Sequence, residues 1–264
     1  MKTVIITITR GTLARNMLRT GILDLSLKEE DIKVVLAIPN KVEDYFRKEF
    51  SHPRIFIEQL PPKSKSSKFR NFLVILFNGL VYTETEKRKL RYGGAHKHPV
   101  SKLEFFLKDL SFSALSRVKF IKHLARWIEQ KIFVERDYDY LFEKYKPDLI
   151  FCSSIYSGPD VIFIKAAKRF GVPSVSMPKS WDTIGRLFFR APSTKFIVNN
   201  EFMTSWTVEN QLIKKEDIFP CGFPQFDIYV NKKKYLSKEE FCQKVGFDCA
   251  KPIILYASEG LWTH

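Results

Sequence analysis

Residues Thr3–Thr9 read "TVIITIT" and residues Ile32–Ile38 read "IKVVLAI", and what lies between them decides the fold. Both are short runs of β-branched and aliphatic side chains, the pattern of a strand buried on both faces. The interval opens with "RGTLARNMLRTG" (Arg10–Gly21), a Gly turn leading into a helix that is expected to stop at Gly21. "KVEDYFRKEF" (Lys41–Phe50) then reads as a helix and "RIFIEQL" (Arg54–Leu60) as a third strand, ended by Pro61-Pro62. Alternation of this kind predicts an α/β fold, a Rossmann-like parallel sheet with helices on both faces.

The rhythm breaks over residues 63–146, which read as a helical insertion, with linkers at Pro61-Pro62-Lys63-Ser64 and Gly93-Gly94-Ala95. Two or three long helices are expected there: "KFRNFLVILFNGLVYTETEKRKLR" (Lys68–Arg91), "SKLEFFLKDLSFSALSRVKFIKHLARWIEQKI" (Ser101–Ile132) and "ERDYDYLFEKY" (Glu135–Tyr145). Alternation then resumes. "DLIFCSS", "PSVSMP", "TKFIVNN" and "DIFPCG" read as strands, with "GPDVIFIKAAKRFG" and "EFMTSWTVENQL" as helices between them. A further unit follows: "SKEEFCQKVGF", a helix capped by Ser237 with Glu240 at the capping-box position, then "KPIILYAS", expected to be a strand. A lone strand cannot bury both faces, so a second domain is expected to be truncated here. The expected boundaries are 1–229 for the first domain and 230–264 for a linker and the start of the second.

Composition narrows the function. The chain has 264 residues, 45% of them hydrophobic, enough for a sizeable core. The longest apolar stretch, "FLVILFNGLVY" (Phe72–Tyr82), is too short to span a bilayer, and the N-terminus lacks the features of a signal peptide. A cytoplasmic protein is expected. Cys152, Cys221, Cys242 and Cys249 form no CxxC, and His96 and His98 have no ligand-spaced companion, so no metal site is expected. The net charge is +15, and 19 Lys/Arg against 9 Asp/Glu fall between Leu60 and Lys146. That concentration fits either an anionic membrane surface met by interleaved Phe residues, or an ordinary insertion with a Phe core and solvated charges. No RNA-binding motif is present, and no nucleic-acid partner is expected.

Ligands of an open parallel sheet bind beyond the carboxyl ends of its strands. The first such loop, "TRGTLARN", is not a GxGxxG, which argues against a dinucleotide. Arg10, with Gly11, Arg15 and Asn16, is a candidate set for an anionic or sugar group. "PKSWDT" is the densest polar cluster: Lys179 suits an anion, Ser180 a hydroxyl, Trp181 a stacked ring, and Asp182 the role of a base. "SSIYSGPD" (Ser153–Asp160) offers hydroxyls and a helix N-terminus, or merely an Asp serving the helix dipole.

Taken together, "ITRGTLARNMLRTGILD", "PKSWDT", "FIVNNEFM" and "IFPCGFPQFDIY" followed by "PIILYAS" resemble bacterial surface-carbohydrate glycosyltransferases of the two-domain GT-B type. The last block is also similar to the domain junction of CDP-glycerol glycerophosphotransferases, and UDP-N-acetylglucosamine 2-epimerases share the architecture more distantly. The resemblance implies an acceptor-side N-terminal domain, a nucleotide-sugar donor rather than a bound cofactor, and a saccharide or lipid-linked acceptor. It implies surface polysaccharide synthesis at the inner face of the membrane. It places Gly222, Pro224, Gln225 and Asp227 at a domain junction, and Ser258, Glu259 and Gly260 in the first donor-side loop. It also implies that these 264 residues by themselves lack transferase activity. Lys179-Ser180-Trp181-Asp182 stands where the glycerophosphotransferases carry a His-Gly pair, which argues against their mechanism. The alternatives are a polyol-phosphate transferase, a UDP-sugar 2-epimerase, and a non-catalytic basic module on a membrane surface or RNA.

Overall fold

The computed structural model describes residues 1–9, 11–39, 43–62, 67–93, 98–156, 158–180, 184–230 and 235–256. They belong to two units, Met1–Gln225 and Phe226–His264. The first unit holds a seven-stranded parallel sheet in the order β3-β2-β1-β4-β5-β6-β7. The strands are β1 (Lys2–Thr7), β2 (Ile32–Pro39), β3 (Ile55–Leu60), β4 (Leu149–Cys152), β5 (Ser174–Ser176), β6 (Lys195–Val198) and β7 (Ile218–Pro220). The winding reverses between β1 and β4, each of which pairs in parallel with the other. The Rossmann-like α/β class read from the sequence is therefore correct.

The uniform apolarity of the first strands has a direct cause. Val34, Leu36 and Ile38 of β2 pack with Ile6, Ile8, Leu13, Leu18 and Phe46 on one face. Val35 and Ala37 pack on the other with Ile5, Ile150, Tyr138 and Phe163. Successive side chains of a strand point to opposite faces, and here both faces are covered. Helices α1 (Gly11–Leu13), α2 (Ile22–Lys28) and α3 (Glu43–Glu49) connect the first strands, with π-helical Ala14–Leu18 between α1 and α2. Gly21, at φ 86°, begins the turn into α2, a position where a side chain would be strained.

Between β1 and β4, a buried knot fixes the reversal point. The Thr7 hydroxyl donates to the Asp160 carboxylate and accepts from the Ser153 amide at 3.2 Å. The Ser153 hydroxyl donates to the Thr7 carbonyl. Asp160 lies in the first turn of α9 (Gly158–Phe170), so one threonine ties β1, the end of β4 and the following helix together.

The insertion differs from its sequence reading. Among the described residues it forms five helices, not two or three: α4 (Lys68–Asn78), α5 (Glu84–Tyr92), α6 (Lys102–Arg117), α7 (Lys119–Lys131) and α8 (Asp139–Tyr145). The first long run breaks after Asn78, where Gly79 lies so close to the Phe112 ring that a Cβ would meet it at 2.3 Å. Thr83 then caps α5. The second run breaks at Val118, whose ψ of 102° is extended.

A buried charge cluster holds this insertion to the sheet. Glu129 of α7 is 0% exposed. Its carboxylate meets Lys165 of α9 at 3.1 Å, Arg190 at 3.0 Å and Arg70 of α4 at 3.2 Å. Glu135 pairs with Arg70 and Lys165 as well. Burial alone would raise the Glu129 pKa, but Arg190, Lys165 and Arg70 outweigh it and hold the carboxyl below its ordinary 4.5. Nearby, Arg126 donates to the carbonyls of Phe189, at 3.0 Å, and Gln211, while Lys122 donates to that of Asn210 at 2.8 Å. Burial lowers the Arg126 pKa to about 10.

Beyond β5, the first unit continues through α10 (Glu201–Gln211) to β7. In the second unit, α11 (Lys238–Val245) carries the expected capping box of Ser237 and Glu240. The expected strand "KPIILYAS" is not observed over its described part. Residues 251–256 have no regular structure, and Ile254 is 91% exposed. A strand needs a hydrogen-bonding neighbour, and none is present among the described residues.

Two outcomes follow from these contacts. Glu129→Gln leaves three buried cations short of a countercharge and should cost about 3 kcal/mol or more in urea unfolding. Because the folded pKa is lowered, the carboxylate's contribution is complete above the unfolded value of 4.5 and is lost as pH falls through the lower folded value. The gap between wild type and variant should accordingly close only in that acid window. Thr7→Val keeps the strand shape but removes the hydroxyl that serves Asp160 and Ser153. It should cost about 1–3 kcal/mol, with Thr7→Ser recovering most of it.

Candidate functional site

Every strand points its carboxyl end to the same edge of the sheet, so the loops singled out from the sequence share one rim. At the end of β1, the Thr9 hydroxyl oxygen is buried and has no hydrogen-bond partner among the described residues. Gly11 opens α1 and is exposed, with open space where a Cβ would stand. Its φ is not in the left-handed region, so the backbone itself does not demand glycine there. Arg15 donates from Nε to the Asn16 side chain at 3.1 Å, which holds the guanidinium at the head of the π-helical turn. Arg10 lies outside the described residues.

The end of β4 supplies Ser153 and Ser154, both buried, followed by the start of α9 with Pro159 in its first turn. Proline fits there because a first-turn N–H has no partner within the helix. Asp160 is committed to the buried knot with Thr7 rather than to the rim. Next along the sheet, β5 ends in buried Met177 and Pro178 and half-buried Lys179 and Ser180. Inside β5, Ser176 shares a hydrogen bond with Ser193. Trp181 and Asp182, the densest part of the expected site, lie outside the described residues.

At the end of β6, Asn200 caps α10 by accepting the Met203 amide at 2.9 Å. Asn199 donates from Nδ2 to the Gly222 carbonyl at 2.8 Å, and the Gly222 amide returns to the Asn199 carbonyl at 3.2 Å. Gly222 has φ 80°, so this double link needs glycine. The Asn199 Oδ1 is buried and has no partner among the described residues. Pro224 and Gln225 follow in a 3-10 turn, Pro224–Tyr229, in which Asp227 is exposed and its backbone carbonyl closes the turn on Val230. Ser258, Glu259 and Gly260 lie outside the described residues.

The described rim thus brings Gly11, Arg15, Asn16, Lys179 and Ser180 to one edge, spread over β1 and β5 with β4 between them. What sequence reading missed is Thr7 and its partner Asp160, 153 residues apart, a pairing with no local signal. Two surface clefts lie elsewhere. One, of about 500 Å³, is lined by Glu84, Lys87, Arg88, Arg91 and Tyr92 of α5; the other, about 340 Å³, is at the β3 edge by Arg47, His52 and Tyr145. No group of three metal-ligating side chains occurs among the described residues.

No protein-family model and no curated protein matches the sequence. Solved structures do. Arabidopsis thaliana UGT89C1 complexed with UDP-L-rhamnose is 16% identical, with a TM-score of 0.42 over 84% of this chain and 52% of that one. UDP-N-acetylglucosamine 2-epimerase from Rickettsia bellii is 14% identical, with a TM-score of 0.41 over 94% of this chain and 52% of that one. The glycosyltransferase VinC in complex with DTDP is 14% identical, with a TM-score of 0.32 over 70% of this chain and 36% of that one. The chain therefore spans about half the length, or less, of these solved chains. With TM-scores below 0.5 and identities of 16% or less, these likenesses carry no argument about this chain, whose fold is read from its own sheet.

Proposed function

We propose that this chain is the acceptor-side domain of a nucleotide-sugar-dependent glycosyltransferase of the GT-B type, acting in surface polysaccharide synthesis. The observation that carries the reading is the rim at the carboxyl ends of β1, β4 and β5. It gathers hydroxyls, an Arg, an Asn and a Lys without any glycine-rich phosphate turn, a set that suits a polyhydroxylated, partly anionic acceptor better than a dinucleotide. The sequence blocks that resemble the family support the same reading.

In this reading the acceptor hydroxyl attacks the anomeric carbon of the donor sugar as the bond to the nucleoside diphosphate breaks. Asp182 takes the hydroxyl proton. Arg10, Arg15 and Lys179 hold anionic parts of the substrates, and Trp181 stacks on a sugar ring. Ser258, Glu259 and Gly260 belong to the donor side, beyond the junction at Gly222–Asp227. The leaving diphosphate is stabilised by basic side chains and helix dipoles, with no metal required. In this proposal the acceptor is a saccharide or a lipid-linked one, and the surplus positive charge of the insertion supports a site of action at the inner, anionic face of a membrane.

The test is a nucleotide-sugar turnover assay on the full-length protein, with Asp182→Asn measured beside wild type. Loss of a general base should lower turnover by a factor of about 10² to 10⁴. Loss of an exposed loop carboxylate should change stability by about 0.5 kcal/mol or less. A variant that melts earlier but turns over normally per folded molecule would remove Asp182 from the chemistry. Absence of turnover or binding with any nucleotide sugar would overturn the reading as a whole.

A further inference from the structure

Helix α7 buries charged side chains and exposes an apolar stripe. Its inward side carries buried Lys122, Arg126 and Glu129 beside buried Ala125, with Ile121 and Ile128 packed on the cluster of Phe77, Leu80, Val81 and Phe188. Its outward side, half a turn away, carries Phe120, Leu124 and Trp127, spaced i, i+4 and i+7 on one stripe. Phe120 is 71% exposed and Trp127 55%. A surface helix of a globular protein ordinarily carries its charges outward and leaves no second apolar stripe in solvent.

Helix α6, immediately before it, repeats the feature. Its packed side meets α5 and the end of α4 through Asp109, which accepts from Tyr82 at 3.0 Å and pairs with Lys87 at 3.0 Å, and through Phe112, which contacts Gly79. The opposite side presents Leu103, Phe106, Leu107 and Leu110, each more than half exposed. None of the residues of α6 is buried. No helix among the described residues is long and apolar enough to cross a membrane, so these stripes are not spans.

The charge around the stripes identifies what covers them. Between Lys68 and Lys131 there are 14 Lys/Arg and 5 Asp/Glu. Arg70, Lys122, Arg126 and Glu129 are buried, which leaves 10 cations against 4 anions among the described residues. Two copies meeting through such faces would repel each other. A bilayer surface with anionic headgroups supplies both an apolar layer for the aromatic and aliphatic side chains and the matching charge.

We propose that the outward faces of α6 and α7 form a monotopic docking surface for a bilayer rich in anionic lipid, with Phe106, Leu110, Phe120 and Trp127 entering the headgroup–acyl boundary. This deepens the membrane location within the function proposed above and does not depend on the sugar chemistry.

The experiment is co-sedimentation of the full chain with vesicles of phosphatidylcholine alone or with about a third phosphatidylglycerol, in the absence of any nucleotide sugar. Binding should be at least about tenfold tighter to the anionic vesicles and should weaken on going to about 0.5 M salt. Phe106→Ser combined with Phe120→Ser should weaken it at least about tenfold while leaving the circular dichroism and melting temperature unchanged, since both side chains are exposed. Should that variant fold poorly, brominated acyl chains serve instead: they should quench wild-type tryptophan emission, and Trp127→Phe should remove the quenched component. Equal binding to neutral and anionic vesicles, no vesicle binding, or binding that the Phe variant leaves intact would overturn the proposal. So would self-association of the chain that the same variant abolishes, which would assign the face to a second copy. Because no nucleotide sugar is present, a negative result here leaves the turnover assay to decide the enzymatic reading separately.

Discussion

The carboxylate of Glu129 is the constraint on which the insertion depends. It sits fully buried among Arg70, Lys165 and Arg190, which come from α4, α9 and the segment that joins β5 to β6. Removing such a charge from water is costly, and only several well-placed partners offset the cost. Once those partners are in place, α7 has no freedom to roll. The side with Glu129, Arg126, Ala125 and Ile128 must face inward, and the stripe of Phe120, Leu124 and Trp127 must face away. The same contact holds the segment around Arg190, which leads into the amino end of β6. One ion cluster therefore governs how the insertion presents itself.

The sheet has a second and separate anchor in Thr7. Its hydroxyl both donates and accepts, and neither bond can be satisfied by water in a residue that is 0% exposed. The knot lies where the winding reverses, the place where the two flanking crossovers diverge and a crevice opens. A rigid floor at that point lets the loops above it vary without moving the strands. The oxygens of Thr9 and Asn199 that have no hydrogen-bond partner among the described residues both belong to residues just past strand ends.

Much of the fold was legible because a parallel sheet covered on both faces imposes uniform apolarity on its strands, as in Val34–Ile38. The caps at Ser237 and Glu240 were legible because their hydrogen bonds are local. The helical character of the insertion was legible too, but its breaks and the facing of its helices were not. The stripe of Phe120, Leu124 and Trp127 has the spacing of a core-facing side, and nothing nearby in sequence reveals that Glu129 will find Lys165 and Arg190 instead. Gly79 and Val118 were passed over as breaks because tertiary contacts, such as the Phe112 ring against Gly79, end those helices. At the rim, the strand-end rule placed Gly11, Arg15, Asn16, Lys179 and Ser180 on one edge, whereas the Thr7–Asp160 pairing spans too much chain to be read from spacing.

Peptide-resolved thiol labelling of single cysteine substitutions along α7 tests the central claim most directly, because it reads which side of that helix meets solvent. The account predicts that Leu124→Cys and Trp127→Cys react quickly in the native protein, near the rate of exposed Cys221, while Ala125→Cys reacts only on unfolding, like buried Cys152. Rapid labelling at position 125 with protection at 124 and 127 would mean that the apolar stripe faces the core, and would contradict both the buried ion cluster and everything built on it.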